Sequence, residues 1–224
     1  MTFLVLGQDA TARPVFLVAG LALVSLLPFL FMGATAFIKI STVLQIVKSA
    51  IGAQSVPSNT VVMTLAAALT LVAMAPVGDR IGKGVAPLFE RNVDTPTMIR
   101  EGIAAVSEPM REFFVKNASA QEKARFLRSA RQVRPETERD HVAEKDFTVL
   151  LPAFVVTELS EAFKMGFLLY LPFLVIDLVI ANVLLALGMQ MLSPTQVSLP
   201  FKLLLFASID GWGLLAQSLI QGYS

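Results

Sequence analysis

The sequence predicts an all-α membrane protein in which two hairpins of apolar helices flank a small, charged helical insert. Of its 224 residues, 55% are hydrophobic and 16% are charged, whereas soluble domains are roughly one quarter charged. The 18 basic and 17 acidic residues are also unevenly placed, because 25 of them lie between Asp79 and Asp146. We therefore predict an apolar hairpin at 1–78, a soluble insert at 79–146 and a second apolar hairpin at 147–224.

Two uncharged stretches near the N-terminus are long enough to cross a bilayer, since ~30 Å of hydrocarbon takes about 20 helical residues. The first lies between Arg13 and Lys39, and the second runs from Ser49 to Gly78. Between them, segment 49–59 is rich in Gly, Ser, Pro and Asn, which predicts a turn. No positive charge precedes Arg13, so we expect no cleavable signal and a retained first segment.

The insert predicts a first amphipathic helix, because apolar residues recur every three or four positions from Ile99 to Phe114. Thr95 followed by Pro96 is typical of a helix start. Pro109 is expected to kink or divide this helix, since proline removes a backbone hydrogen bond.

A second helix in the insert is predicted to begin at Ser119. Ser119 and Glu122 have the spacing of a capping box, and Pro135 limits how far the helix extends. Both predicted helices are short and lie in the most charged part of the chain.

The C-terminal apolar part predicts a third and a fourth crossing. Three charged residues interrupt it early, after which an apolar run begins at Met165 and contains only Asp177 before Lys202. The segment 193–200 holds two prolines and several short polar residues, so we expect it to separate the two crossings.

The lysines near the hairpin turns predict an orientation. Lys39 and Lys48 lie near the first turn, whereas the turn at 193–199 is uncharged. By the positive-inside rule both turns face the cytoplasm and the insert lies in the periplasm. Arg13, at the opposite end of the first crossing, argues against this orientation.

Several classes of function are excluded by composition. The chain has no cysteine, one histidine (His141) and none of the HExxH, GxSxG, GxxxxGK or GxGxxG motifs. We therefore predict no enzyme activity, no metal and no cofactor. The net charge of +1 gives no reason to expect a nucleic-acid partner.

Glu158, Glu161 and Lys164 form the first candidate site, since their spacing brings Glu161 within reach of Lys164 on a helix. Two carboxylates near a membrane could relay protons or bind cations. The alternative, which we favour, is a helix end at the membrane interface or a salt bridge between subunits.

Asp177 and Asp210 are acids within apolar sequence, and an unpaired carboxylate at the bilayer centre costs about 2.5 to 3.5 kcal/mol. We expect each to have a partner within protein. Proton coupling and a structural hydrogen bond are both open, and the second is favoured.

Prolines occur in or beside every apolar segment, at positions 28, 76, 152, 172 and 200. Each removes a helix hydrogen bond that lipid cannot replace, so these helices are expected to pack against protein. Met189, Gln190 and Met191 stand near the second turn. Methionine is flexible and fills irregular gaps, so ordinary packing is the favoured interpretation of these residues alone.

Two long segments resemble the SctR/FliP family. The first is Phe37 to Val77, which reads FIKISTVLQIVKSAIGAQSVPSNTVVMTLAAALTLVAMAPV. The second lies within 152–215 and contains PAFVVTELSEAFKMGFLLYLPFLVIDLVIANVLLALGMQMLSPTQVSLPFKLLLF and then DGW. The first dozen residues and most of the insert resemble the family only loosely.

This resemblance implies a subunit of the export gate of bacterial type III secretion systems, found in injectisomes and flagella. It implies a multi-pass protein of the inner membrane, present as five copies in a helical channel. The implied partners are SctS-type and SctT-type subunits, an SctU-type switch protein, membrane lipid and unfolded protein substrates supplied by a cytoplasmic ATPase. The family members are not enzymes.

The resemblance also assigns a role to the loop near 188–200. In the family a methionine-rich loop closes the pore as a gasket, and the matching residues here are Met189, Gln190 and Met191. Flagellar members tend to have consecutive methionines, so Gln190 departs from that pattern and makes the expected seal less apolar. Flagellar members also tend to start with a cleavable signal peptide, and the absence of one here favours an injectisome. The polar residues Glu158, Glu161, Lys164, Asp177 and Asp210 are expected to make buried or inter-subunit contacts.

Two other functions remain as alternatives. The first is a proton-coupled secondary transporter that uses Asp177 and Asp210, although the two halves show none of the inverted repeats common in such folds. The second is a membrane-embedded hydrolase that uses Glu158 and Glu161, which would require a metal or a nucleophile nearby.

Overall fold

The protein is described by a computed structural model that covers residue 21 and residues 24–52, 57–90 and 94–223. Within these ranges all regular secondary structure is helical, so the predicted all-α class is confirmed. The contacts divide the chain into two compact units, residues 1–35 and 36–224. The predicted N-terminal segment and the start of the first crossing lie outside the described residues.

The described helices follow one another along the chain with short connections. A 3-10 helix, Glu136–His141, lies between the α-helices Ala120–Gln132 and Phe147–Ala186. The α-helices are α1 (Val24–Gly33), α2 (Phe37–Ile51), α3 (Asn59–Glu90), α4 (Thr95–Asn117), α5 (Ala120–Gln132), α6 (Phe147–Ala186), α7 (Pro194–Ser208) and α8 (Gly211–Gln221).

Helices α2 and α3 form a hairpin at the predicted turn, but α2 begins at Phe37, near the end of the stretch predicted as the first crossing. α2 ends at Ile51 and is capped by Gly52, whose φ of 81° is the left-handed conformation that glycine adopts without strain. Lys48 Nζ donates a hydrogen bond to Asn59 Oδ1 (2.6 Å), and Gln45 one turn earlier contacts Met63. The order of these contacts shows that the two helices are antiparallel.

The buried face of the hairpin follows from helical spacing. On α3, Val62, Ala66, Leu69 and Ala73 recur every three or four residues and are buried in a core that includes the apolar face of α2. α3 continues without a break to Glu90, so the predicted domain boundary between residues 78 and 79 lies inside a helix. The division into 1–78, 79–146 and 147–224 stays a prediction.

The start of α4 differs from the prediction by one residue. Asp94, not Thr95, caps the helix, and its carboxylate accepts a hydrogen bond from the Thr97 N–H (3.3 Å). Hydrogen bonding to the Thr97 side chain, and secondly to the Thr97 N–H, lowers the pKa of Asp94. Asp and Thr are both good caps and Pro96 is tolerated anywhere in the first turn, so the sequence alone allowed either. The helix is not divided at Pro109, because α4 packs on α3 and α6.

The second insert helix is confirmed at both ends. Ser119 Oγ accepts a hydrogen bond from the Glu122 N–H (3.2 Å), and α5 ends before Pro135. The Ser119 N–H donates to Thr157 Oγ1 on α6 (3.0 Å), so the cap of α5 is also its attachment to the apolar part of the chain.

Helix α6 is the longest element and contains both Pro152 and Pro172. Its 40 residues extend about 60 Å, twice the ~30 Å thickness of a hydrocarbon core, so a bilayer can hold only part of it. The N-terminal part packs against α2, α4 and α5, and residues there such as Leu150 and Phe154 are fully buried.

The separation between α6 and α7 lies earlier than predicted. A turn at residues 187–193 separates the two helices, and α7 begins at Pro194, so most of the predicted loop 193–200 is helical. Ser193 and Pro194 stand at the cap and the first helical position, where these residue types start helices. Pro200 is tolerated inside α7.

Two helices, Asn59–Phe89 and Phe147–Ala186, are long and apolar enough to cross a membrane, with mean hydropathies of 2.1 and 2.4. Two helix pairs meet the same test when each is taken together, α1 with α2 and α7 with α8. The described residues therefore contain two to four candidate spans. The pair α7 and α8 bends by 59°.

Candidate functional site

Lys39 forms the centre of the first polar cluster, between α2 and α6. Its Nζ lies 2.6 Å from Glu161 Oε2 and 3.0 Å from Glu158 Oε1, the latter an ion pair without hydrogen-bond geometry. Lys39 and Glu158 are both buried, whereas the Glu161 side chain is 43% exposed. The predicted pair of Glu161 with Lys164 does not form, because Glu161 turns to the buried lysine instead.

Tyr223 completes this cluster from the C-terminal end of the chain. Its hydroxyl donates a hydrogen bond to Glu158 Oε2, and its ring lies 4.6 Å from Lys39 Nζ and stacks on Phe113 of α4 at 6.1 Å. Burial, together with the neighbouring Glu158, raises the pKa of Tyr223, so the hydroxyl stays protonated and acts as a donor. One tyrosine thereby joins α2, α4, α6 and the C-terminus.

Asp177 belongs to a second polar cluster, further along α6. Lys202 of α7, which is 2% exposed, places its Nζ 2.6 Å from Asp177 Oδ2 and donates to the Ala50 carbonyl at 3.1 Å. Ser198 Oγ donates to Asp177 Oδ1 at 2.5 Å. The lysine therefore fastens the end of α2 to both α6 and α7.

Asp210 is in a different environment. It is exposed, precedes α8, and adopts a left-handed conformation with φ 51° and ψ 50°. Its carboxylate lies over Gly213, where an added Cβ would stand 2.3 Å from Oδ2. Gly211 likewise has no room for a side chain, because an added Cβ would be 2.3 Å from the ring of Phe206. Asp210 thus belongs to the bend between α7 and α8 and does not join Asp177.

The turn between α6 and α7 presents the two methionines to the outside. Gly188 adopts φ 71°, and the Met189 N–H donates to the Leu184 carbonyl at 2.9 Å, which ends α6 tightly. Met191 is 99% exposed and Met189 is 44% exposed. Gln190 between them is also exposed. The turn therefore presents two exposed methionines with an exposed glutamine between them, and the Asp177–Lys202 pair joins the two helices that flank it.

The lysines that predicted the orientation are both engaged in contacts. Lys39 is committed to two glutamates and Lys48 to Asn59, and both are buried. Both lysines therefore stabilise contacts within the fold, and their presence near the turns does not by itself set the orientation in the membrane. The cytoplasmic orientation of the turns stays a prediction.

Sequence reasoning missed three of the residues that complete these clusters. Lys39 was used only to predict the orientation in the membrane, and Lys202 only to mark the end of an apolar run. Tyr223 entered no prediction. The available signal was a charged or phenolic group within apolar sequence, which requires a partner when buried. Across 21, 24–52, 57–90 and 94–223, no group of three or more His, Asp or Glu side chains could hold a metal.

These features define an all-α protein with candidate membrane-spanning helices, buried ion pairs between them and an exposed methionine turn. The model of the FliP family matches residues 20–219, and the chain belongs to that family.

Three relatives illustrate its range. The hypersensitivity response secretion protein HrcR of Ralstonia nicotianae is 42% identical over 201 residues, which are 89% of this chain and 93% of the relative. Yop proteins translocation protein R of Yersinia pestis is 42% identical over 212 residues, 92% and 95% of the two chains. The flagellar biosynthetic protein FliP of Caulobacter vibrioides is 40% identical over 218 residues, 97% and 79% of the two chains.

Proposed function

We propose that this protein is a core subunit of a type III secretion export gate, a passive conduit in the bacterial inner membrane for unfolded secreted proteins. The observation that carries the proposal is the family match over residues 20–219, which includes the Asp177–Lys202 cluster, the methionine turn and the Lys39, Glu158 and Glu161 side chains of the first cluster. The names of the relatives refer to secretion, to translocation and to flagellar biosynthesis.

The turn between α6 and α7 supports a sealing role. Met191 is almost completely exposed in the single chain, and Met189 keeps 44% of its surface exposed. If several copies surround a pore, these flexible side chains converge and close it as a gasket. Gln190 adds one polar group to each copy of that seal.

Exposed apolar side chains support assembly with other subunits. The C-terminal half of α6 exposes large residues on several sides, including Phe167 (63%), Leu168 (66%), Leu178 (56%) and Leu185 (63%). Such a surface requires lipid or protein to cover it. We propose five copies of this chain, together with SctS-type and SctT-type subunits and an SctU-type switch protein.

The environment of the acids supports a conduit over a proton-coupled transporter or a hydrolase. Asp177 is already paired with Lys202, and Asp210 is exposed at a bend, so the two do not form a relay. Glu158 and Glu161 share Lys39, which leaves neither as a free base beside a nucleophile.

The test is the permeability of the closed gate. Replacing both Met189 and Met191 with alanine shortens the side chains that seal the pore, so cells with the variant complex should leak small solutes. A variant with the same two changes in the insert, at Met98 and Met110, is the matched control. Equal leak from the two variants would remove the gasket role.

A further inference from the structure

Helix α5 carries an excess of positive charge. The sequence 120–134 contains five basic residues and one acid, Glu122. Glu122 is buried at the start of the helix, where its carboxylate lies 2.9 Å from Arg125 Nη1. Arg128 and Arg131 are exposed, and their spacing of three residues makes them neighbours on one side of the helix. The positive charge of α5 is therefore available to a partner.

Most of this charge is not neutralised within the chain. Lys123 lies 3.9 Å from Glu144. The remaining three basic residues, Arg128, Arg131 and Arg134, have no carboxylate within 4.0 Å among the residues that the structure describes. Arg131 does donate a hydrogen bond to a backbone carbonyl at 3.3 Å, but that acceptor is neutral. We refer to these three residues as the arginine cluster.

The segment that follows α5 has the opposite charge. The 3-10 helix Glu136–His141 contains three exposed acids and one basic residue, Arg139, which lies 3.7 Å from Glu136. The other two acids, Glu138 and Asp140, have no basic group within 4.0 Å in the described ranges. We refer to these two residues as the acidic pair. One chain thus offers unpaired arginines and unpaired carboxylates on the same part of its insert.

The local structure keeps the two sets apart within one chain. Arg139 Nε donates to the Arg134 carbonyl at 3.1 Å, and Val142 after the 3-10 helix is 1% exposed. These contacts hold the acidic pair beyond the end of α5, whereas Arg128 lies one turn before that end at Gln132. A second copy displaced along α5 by one or two turns, ~5 to 11 Å, brings its acidic pair level with the arginines.

Charge complementarity and proximity both favour a second copy as the partner. Copies that assemble through their apolar helices hold their inserts at a high effective concentration, so a weak contact between inserts can form. An exposed ion pair alone strengthens an association only about 1.5- to 5-fold. Such a contact is too weak to assemble the copies, but it is sufficient to set the register of inserts that are already neighbours.

We propose that the arginine cluster of one copy contacts the acidic pair of the next copy. This inference rests on the proposed function, because it requires several copies of the chain in one complex. Each copy then gives its arginines to one neighbour and its carboxylates to the other. A contact between two different surfaces is heterologous, and repeated contacts of this kind form a ring or a helix.

Disulfide crosslinking tests the contact selectively, because the chain has no cysteine. Two full-length chains with different tags are coexpressed, one with Ala124→Cys and one with Thr137→Cys. Ala124 is exposed one turn before Arg128, and Thr137 is exposed beside Glu138. After oxidation of the membranes with copper phenanthroline we expect a product of about 48 kDa, twice 24.2 kDa, that carries both tags. Ala104→Cys, at an exposed alanine of α4, replaces Ala124→Cys in the matched control and should give only background yield.

A charge reversal distinguishes the ion pairs from mere proximity. Arg128→Glu in the chain with Ala124→Cys should lower the yield about 1.5- to 5-fold, and Asp140→Arg in the other chain should restore it. Both side chains are exposed, so neither change should shift the melting temperature. An undiminished yield with Arg128→Glu, or a loss that Asp140→Arg does not restore, would overturn the proposal.

A yield no higher than that of the Ala104→Cys control would also overturn it, and the mass of the extracted particle then separates the two proposals. A particle with several copies would show that only this contact is wrong. A particle with a single copy would remove the proposed function as well.

Discussion

Replacing Lys202 with methionine removes the only charged group that connects α6, α7 and the end of α2 within the described chain. The change leaves the Asp177 carboxylate without its counter-ion and the Ala50 carbonyl without its donor. Removing one partner of a buried ion pair typically costs about 3 to 5 kcal/mol. The Asp177 side chain retains 25% of its exposure, so we expect the lower value, about 3 kcal/mol.

The assay is thermal unfolding in detergent, followed by circular dichroism and by the fluorescence of Trp212. For a chain of this size each kcal/mol shifts the melting temperature by about 2–4 °C, so the variant should melt about 6–12 °C lower. Lys116→Met, the same change at an exposed position, should alter stability by no more than about 0.5 kcal/mol.

The double variant Lys202→Met with Asp177→Leu tests the reason for the loss. Both charges are then absent, and Ser198 can donate to the Thr195 carbonyl, 3.1 Å from its oxygen. Replacing a buried pair by apolar residues is often neutral or stabilising, so the double variant should recover most of the lost stability. A Lys202→Met protein that melts like the native one, or a double variant that is worse than either single change, would refute this reasoning.

Two further predictions concern packing at the C-terminal end. Tyr223→Phe keeps the stacking on Phe113 but leaves Glu158 without its hydroxyl donor, so the free energy of unfolding should fall by about 1–3 kcal/mol. Tyr170→Phe is the control in the same unfolding assay, and equal losses would contradict the role of the Tyr223 hydroxyl. Gly211→Ala places a Cβ 2.3 Å from the Phe206 ring and should cost about 1–3 kcal/mol. Gly78→Ala, where the added methyl meets no atom within 4 Å, should instead stabilise α3 slightly, and similar effects of the two alanines on melting temperature would contradict the packing argument.

Local signals in the sequence predicted much of the fold. The capping pair Ser119 and Glu122 located α5, and the Gly and Pro residues after Ala50 located the first turn. Errors of position arose where two signals were equivalent, as at Asp94 and Thr95. Pro109 was expected to kink or divide its helix, and α4 is not divided there but runs through Pro109 while packing on α3 and α6.

The partners of the polar residues could not be predicted in the same way. Glu158 was expected to act with its neighbours on the same helix, yet its partners Lys39 and Tyr223 are distant in sequence. Helical spacing identifies which side chains share a face and gives no information about the helix that packs opposite. For Asp177 the sequence was informative, because the cost of an unpaired carboxylate in apolar surroundings predicted a partner within the protein. Lys202 is that partner.

The central proposal is that this chain acts only as one of several subunits around a shared conduit. The mass of the particle that contains this chain, extracted from bacterial membranes in mild detergent, tests it most directly. Five copies of the 24.2 kDa chain have a mass of about 121 kDa. We predict a particle of this mass, or of a larger mass when smaller partner proteins stay bound to the five copies. A complex that contains one or two copies of the chain and no other protein would contradict the account.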